Sequence, residues 1–381
     1  MRQRVDSIDT LRGLVMVVMV LDHVRDFFHG TSQRISPEDL SKTDAVLFFT
    51  RWITHFCAPV FVFLAGAGIS FSSLNREGNT AVSRFLITRG VWLIFLELTV
   101  INFSFSFRVP YDILVLQVIW VIGWAMIVMA GLIWAPRRIL AIFSIAVILL
   151  HNTTDGLRID SPLWNFLHVM TFTKIGDMPV LLAYPLLPWL GVMAAGFCLG
   201  DVMRLEPDRR RTILFRLGAA AVLAFFVLRF VNLYGDPAPW NGSSVLSFFR
   251  ATKYPPSLLY VLMTLGPALL LLSWLDRVRV AEFHPLRVFG RVPMFYYLLH
   301  FYIVHGLAVV LAGLQYGDWK LMLRVPPSLS GAFPPGFPQD YGYSLATTYV
   351  IWLGIVGALY VPCRWYMQVK QRSRAAWTSY L

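Results

Sequence analysis

Charge is what this chain has least of. Asp, Glu, Lys and Arg together make up 14% of its 381 residues, where soluble domains carry about 25%. That shortage excludes an ordinary water-soluble domain. Cysteine is scarce as well: Cys57, Cys198 and Cys363 are odd in number, fall in apolar segments and show no metal-ligand spacing. They read as small buried hydrophobes, which excludes a disulfide framework. There is no Gly-x-Gly-x-x-Gly fingerprint after a strand, no Walker loop, no His-Glu-x-x-His and no low-complexity tract. Nor is a cleavable signal peptide expected: Arg2 and Arg4 imitate its basic start, but no small-residue cleavage site follows and Asp22 to Asp26 interrupt the apolar stretch.

Hydrophobicity is what the chain has in excess. It is 57% hydrophobic with a mean hydropathy of +0.62, arranged in blocks of about 17–25 residues, the length that crosses a hydrocarbon core of roughly 30 Å. The expected fold is all-α, a polytopic membrane helix bundle of about ten transmembrane helices forming one domain over 1–381. The spans are predicted near 11–29, 52–72, 86–106, 113–134, 138–152, 180–202, 212–234, 256–275, 292–315 and 344–367.

The net charge of +12 is a topology signal, because the bases cluster in alternate connections. One set holds Arg2 and Arg4; Arg76 and Arg84; Arg137 and Arg138; Arg204 and Arg209 to Arg211; Arg277 and Arg279; and Lys370, Arg372 and Arg374. By the positive-inside rule this set is cytoplasmic, both termini lie inside, and no nucleic-acid surface is expected. The connections 153–179, 235–255 and 316–343 then fall outside. Their length and their Trp164, Trp240, Tyr254 and Trp319 suggest packed lids.

The first span breaks the apolar rule. After RGLVMVVMVL come Asp22, His23, Arg25, Asp26 and His29. At 100° per residue these five and Arg12 fall within roughly 160° of one face, with Leu21 and Phe28 outside it. Ionisable groups at mid-bilayer cost at least about 2.5–3.5 kcal/mol each and usually mark a substrate or ion pathway. A salt-bridge set of Asp22, Arg25 and Asp26 near the interface is the plainer reading of those three. Elsewhere in the spans lie His55, Glu97, Asn102, Gln117, Arg229 and Asn232. Glu97 is expected to pair with an arginine. His300 and His305 lack the i,i+4 spacing of a helical metal site, and no metal is expected. His305 reads as a core histidine, whereas Tyr296, Tyr297 and Tyr302 around His300 suit a polar ligand.

SIDTLRG at 7–13, APVFVFLAGAGISF at 58–71, KYPPSLLY at 253–260 and GRVPMFYYLLHFYIVH at 290–305 resemble the transmembrane acyltransferases. One branch that they resemble is the heparan-alpha-glucosaminide N-acetyltransferase catalytic domain and its bacterial relatives. The spacing of Arg12 and His23 also resembles the arginine, ten residues, histidine signature of the acyltransferase-three family. Animal relatives carry asparagine where His23 aligns and place their histidine further on, which points to His29. Both histidines therefore stand as candidates for the base.

The resemblance implies transfer of an acyl group, expected to be acetyl, from cytoplasmic acyl-CoA to an extracytoplasmic sugar amine or hydroxyl. Acetyl-CoA is then the co-substrate, and Arg12, Arg84 and Arg89 are the candidates to hold its anionic end. His23 or His29 would serve as general base or acyl carrier, with Asp22 or Asp26 orienting the imidazole. Lys253, Tyr254, Tyr297 and His300 are candidate acceptor contacts, and Trp164, Trp240 and Trp319 would stack on a sugar ring. The expected location is the bacterial inner membrane, with lipid and a glycan as partners and a homodimer compatible with both. A secondary transporter of a small polar solute or protons is the alternative, and a scaffold would leave the charged stripe unexplained.

Overall fold

A computed structural model describes residues 5–373, apart from 75, 158, 243 and 331–335. Arg2, Arg4 and Arg374 of the basic set lie outside the described residues. In chain order the helices are α1 Asp6–Phe28, α2 Ala45–Thr54, α3 Cys57–Ser73, α4 Gly78–Leu96 and α5 Asn102–Ser106; then α6 Val118–Leu132, α7 Arg137–Leu150, α8 Pro162–His168 and α9 Leu186–Val202. They continue with α10 Pro207–Val231, α11 Val245–Phe249, α12 Leu258–Leu275, α13 Pro285–Arg291, α14 Pro293–Tyr316, α15 Pro327–Ser330 and α16 Leu345–Arg372. A π-helical turn, Glu97–Ile101, joins α4 to α5.

The molecule is mostly helical, 69%, with 5% strand. Seven helical segments are long and apolar enough to cross a membrane: Ala45–Ser73, Gly78–Ser106, Arg137–Thr154, Pro207–Val231, Leu258–Leu275, Pro293–Tyr316 and Leu345–Arg372. Two more predicted spans coincide with shorter apolar helices, Val118–Leu132 and Leu186–Val202, and the first with the charged α1. The expected all-α character needs one correction. Leu114–Leu116 (β1), Thr171–Ile175 (β2) and Met178–Leu182 (β3) form a small sheet in the order β1-β3-β2, with β1 parallel and β2 antiparallel to β3. The starts of the fourth and sixth predicted spans are therefore strand. Their apolar runs satisfy a sheet as well as a helix, and pairing decided between them.

The helices α7, α10 and α16 form outer walls. Ile142 and Ile145, Leu223 and Phe230, and Val350 and Leu353 are all exposed on them, which only a lipid surround tolerates at this density. The chain is an integral membrane protein. Its core runs continuously from Ile8 to Met367. At its centre lies α1, where only Asp6 is exposed, so the amphipathic reading needs correction: Leu21 and Phe28 are buried like the polar stripe. Asp6 and Asp9 in its first turn and Arg25 in its last complement the helix dipole.

Small residues set the closest approaches, as expected where lipid supplies no hydrophobic drive. A Cβ on Gly66 would sit 2.0 Å from the Met193 carbonyl oxygen, and one on Gly196 1.8 Å from that of Phe63, so α3 and α9 meet backbone to backbone. Gly13 and Gly290 do the same for α1 and α13.

Candidate active site

His23 sits near the end of α1, where a polar cavity of ≈ 480 Å³ opens. Asp22, His23, Arg25 and Asp26 line it from α1, Arg51 and Thr54 from α2, and Tyr297 from α14. The connection 30–44 closes it with Gln33, Arg34 and Glu38, and Lys253, Tyr254 and Tyr184 form a further wall.

A second cavity of ≈ 280 Å³ is lined by Arg12 and Arg89 and walled mostly by apolar side chains such as Leu64, Ile69, Leu93 and Met294. Three residues, Phe61, Val118 and Tyr297, line both cavities. Arg12 and His23 are separated by about 16 Å of helical rise. The two cavities thus lie end to end along α1, one apolar with two arginines in its wall and one polar around a histidine. The Gly-x-Gly stretch divides its labour: Gly66 packs against α9, whereas Gly68 lines the apolar cavity with nothing within 4 Å of where its Cβ would be.

The carboxylates of α1 are held by arginines. One Arg51 guanidinium nitrogen donates to both oxygens of Asp22, at 2.8 and 2.6 Å, and Thr54 donates to Asp22 at 2.9 Å. Arg25 pairs with Asp22 at 2.8 Å and with Asp26 at 2.6 Å. The salt-bridge set expected from spacing does form, but it is buried, extended by Arg51, and part of the cavity wall. Arg51 also donates to Glu38 at 3.1 Å, where His55 lies 3.0 Å away. Burial pushes the Glu38 carboxyl up, but the His55 hydrogen bond and the nearby charges outweigh it and hold it below the usual carboxylate range.

Neither Asp22 nor Asp26 hydrogen-bonds His23, so the triad-like orientation expected of them is absent. Neighbouring side chains on a helix diverge by 100°, and arginines have claimed both carboxylates. His23 instead packs on Phe301 at 4.3 Å and His300 at 5.2 Å between ring centroids, with its Nδ1 buried and unpartnered. His300 is fully buried, its Nδ1 is 3.3 Å from the Tyr296 carbonyl, and it lies behind His23 rather than in the cavity wall. Tyr297 presents a hydroxyl with no partner. Lys253 is buried along its stem and makes no ion pair among the described residues; its Nζ lies 5.0 Å from the Tyr254 ring centroid and 6.0 Å from that of Tyr184.

His29 lies elsewhere. It lines a separate depression with Tyr341 and Tyr343, and its Nδ1 accepts the Ser32 N–H at 3.2 Å. Arg84 is exposed on α4 and lines neither cavity. The three tryptophans also stand apart: Trp240 packs on Phe230 and Phe248, Trp164 on His168, and Trp319 against Gly313. Tyr184 and Tyr254 are the rings that face the cavity in their place. Among the described residues Glu97 has no arginine partner, contrary to expectation; its Oε1 accepts the Gln117 N–H at 2.9 Å, because the π-helical turn aims it at the irregular start of α6. His305 is the core residue expected, between the Ser104 and Met322 carbonyls at 2.6 and 2.5 Å. Arg229 is buried and caps the Ser247 and Phe248 carbonyls.

Sequence reasoning missed Arg51, Glu38 and Tyr184 as cavity residues. Arg51 precedes an apolar run like any interfacial base, and nothing in the spacing signals that it turns toward Asp22. An Asp with no partner within its own helix turn would have been the clue, and Arg25 obscured it.

Residues 4–231 match the family described as heparan-alpha-glucosaminide N-acetyltransferase, catalytic. No curated protein matches the chain. The family match spans more than half of the sequence and takes in α1, the connection 30–44, α2, α3, α4 and α6, which build most of both cavities, while Lys253, Tyr254 and Tyr297 lie beyond it. The chain belongs to the heparan-alpha-glucosaminide N-acetyltransferase catalytic family of membrane acetyltransferases.

Proposed function

We propose that the protein moves an acetyl group from cytoplasmic acetyl-CoA to the amine or hydroxyl of a sugar on the opposite side of the membrane. The observation that carries this reading is the junction of the two cavities at Phe61, Val118 and Tyr297. Arg12 and Arg89 in the wall of the apolar cavity suit the anionic groups of the donor, with Arg84 exposed on α4, the helix of Arg89, for its outer phosphates. The apolar walls suit the pantetheine arm, and the thioester would then arrive between Tyr297 and His23.

In the polar cavity the acceptor lies among Lys253, Tyr254 and Tyr184. Neutral His23 takes the proton from the acceptor as its nitrogen or oxygen attacks the thioester carbon. The C–S bond then breaks, the CoA thiolate leaves, and His23 returns the proton to that sulfur. The Lys253 ammonium and the Tyr297 hydroxyl are the donors suited to the developing oxyanion. Asp22 and Asp26 act through Arg25 and Arg51, keeping the wall charged and fixed around His23. His300 backs the imidazole.

The test is acetyl transfer by purified protein in liposomes, with labelled acetyl-CoA supplied on one side and an amino sugar on the other. Arg12→Ala and Arg89→Ala should weaken CoA binding, more at low salt than at high, because salt screens the lost attraction. Unchanged CoA affinity in both, or no acetyl transfer by the wild type to any amine or hydroxyl sugar, overturns the reading.

A further inference from the structure

Away from both cavities, the end of α7 carries a second cluster of polar side chains. His151 opens a 3-10 turn, His151–Thr154; Asp155 follows it, and α8 brings back His168. One ring nitrogen of each histidine and one Asp155 oxygen all lie within 4.8 Å of one another. His151 and His168 are buried, 4% and 2% exposed. Among the described residues, no hydrogen bond reaches either ring nitrogen of His151 or the Nδ1 of His168. The Pro256 carbonyl lies beside His151 but outside hydrogen-bond geometry. A buried imidazole with no hydrogen bond on either nitrogen is a ligand without its partner.

We propose that His151, Asp155 and His168 bind one divalent transition-metal ion, with zinc the best fit. Two imidazoles and a carboxylate suit zinc, and three protein ligands leave a fourth position for water. Asp155 is the solvent side of the cluster, with its side chain 19% exposed. His168 Nε2 and Asp155 Oδ1 are 3.1 Å apart, close to the separation of about 3.3 Å that tetrahedral zinc imposes on two such ligands. The wider distances close by rotation of the rings onto the ion. The outer shell is in place: Asn152 Nδ2 donates to Asp155 Oδ2 at 2.7 Å, fixing the carboxylate as supporting groups of metal ligands do.

The same Asn152 accepts the Leu258 N–H at 2.8 Å. The ion therefore clamps the segment 151–168 to the start of α12, five residues beyond Lys253 of the polar cavity. Its role is structural, since none of the three ligands lines either cavity. Spacing hid the site, because the two histidines are far apart in sequence and lie in different elements. It stands independently of the acetyl-transfer reading.

The protein is purified with a histidine-free tag and no chelator, and its metal content measured. About one zinc per chain is expected in the wild type and in Lys253→Ala. After chelation, titration with cobalt(II) should produce the visible absorption bands of a four-coordinate ion, which zinc then abolishes. His151→Ala and His168→Ala should each lower cobalt affinity by about tenfold or more. A wild type that neither carries zinc nor develops cobalt bands overturns the site without any variant. Full metal retention in both histidine variants overturns it equally, and neither result touches acetyl transfer.

Discussion

Arg51 reaches from α2 to place one guanidinium nitrogen on both carboxylate oxygens of Asp22 in α1, at 2.8 and 2.6 Å. Both side chains are 13% exposed. This contact joins the central helix to the cavity's outer wall, and it puts a fixed charge pair beside His23. Removing one partner from such a buried pair usually costs about 3–5 kcal/mol, because the other charge is left uncompensated. Arg51→Ala should therefore lower thermal stability in detergent strongly, while Arg51→Met combined with Asp22→Asn loses less than the two single variants summed. Simple additivity in that cycle would show the pair to be uncoupled.

His23 and His29 separate cleanly. The first lines the polar cavity and the second a different depression. A general base contributes roughly 10²–10⁴ in rate, so His23→Ala should reduce acetyl transfer by about that factor with CoA binding retained. His29→Ala should leave turnover within about threefold, its effect confined to the Ser32 contact. Loss of turnover in His29→Ala alone reverses the assignment.

The two glycines of the 65–70 stretch give a test of packing against function. Gly66→Ala forces a methyl against the Met193 backbone and should destabilise the α3–α9 pair, read as a lower unfolding temperature. Gly68→Phe meets no atom at its first carbon and projects into the apolar cavity. It should fold normally yet lose CoA affinity by at least about tenfold, a loss of about 1.4 kcal/mol. Normal CoA binding by a folded Gly68→Phe protein would separate that cavity from the donor.

Glu38 supplies an acid-side prediction. Its carboxyl is held below its unfolded value, so its contribution is fully present above about pH 4.5 and fades as the pH falls toward the folded value. Unfolding temperature should drop on acidification below that point, and Glu38→Gln should flatten the drop while lowering stability at neutral pH. An identical pH profile for the variant removes Glu38 from the account.

Much of the molecule was legible in the order of its residues. Apolar runs of membrane length located every long helix, because a helix is the only open-ended element whose backbone is satisfied in lipid. The cost of ionisable groups in such a run marked Asp22, His23, Arg25 and Asp26 as the place to look, and all four line the polar cavity. Family resemblance in α1 and α3 was legible for the same reason, since both motifs are local. What the chain order leaves open is which distant groups meet. Arg51, Glu38 and Tyr184 entered the cavity, while Trp164, Trp240, His29 and Arg84 were left out of it. Asp22 took an arginine from another helix instead of orienting His23, and Leu114–Leu116 took a strand partner 66 residues away. Each of these was decided by close packing between segments remote in sequence, above all the glycine contacts that set how helices approach. Side-chain periodicity gives the face of a helix; only the fold chooses what that face touches.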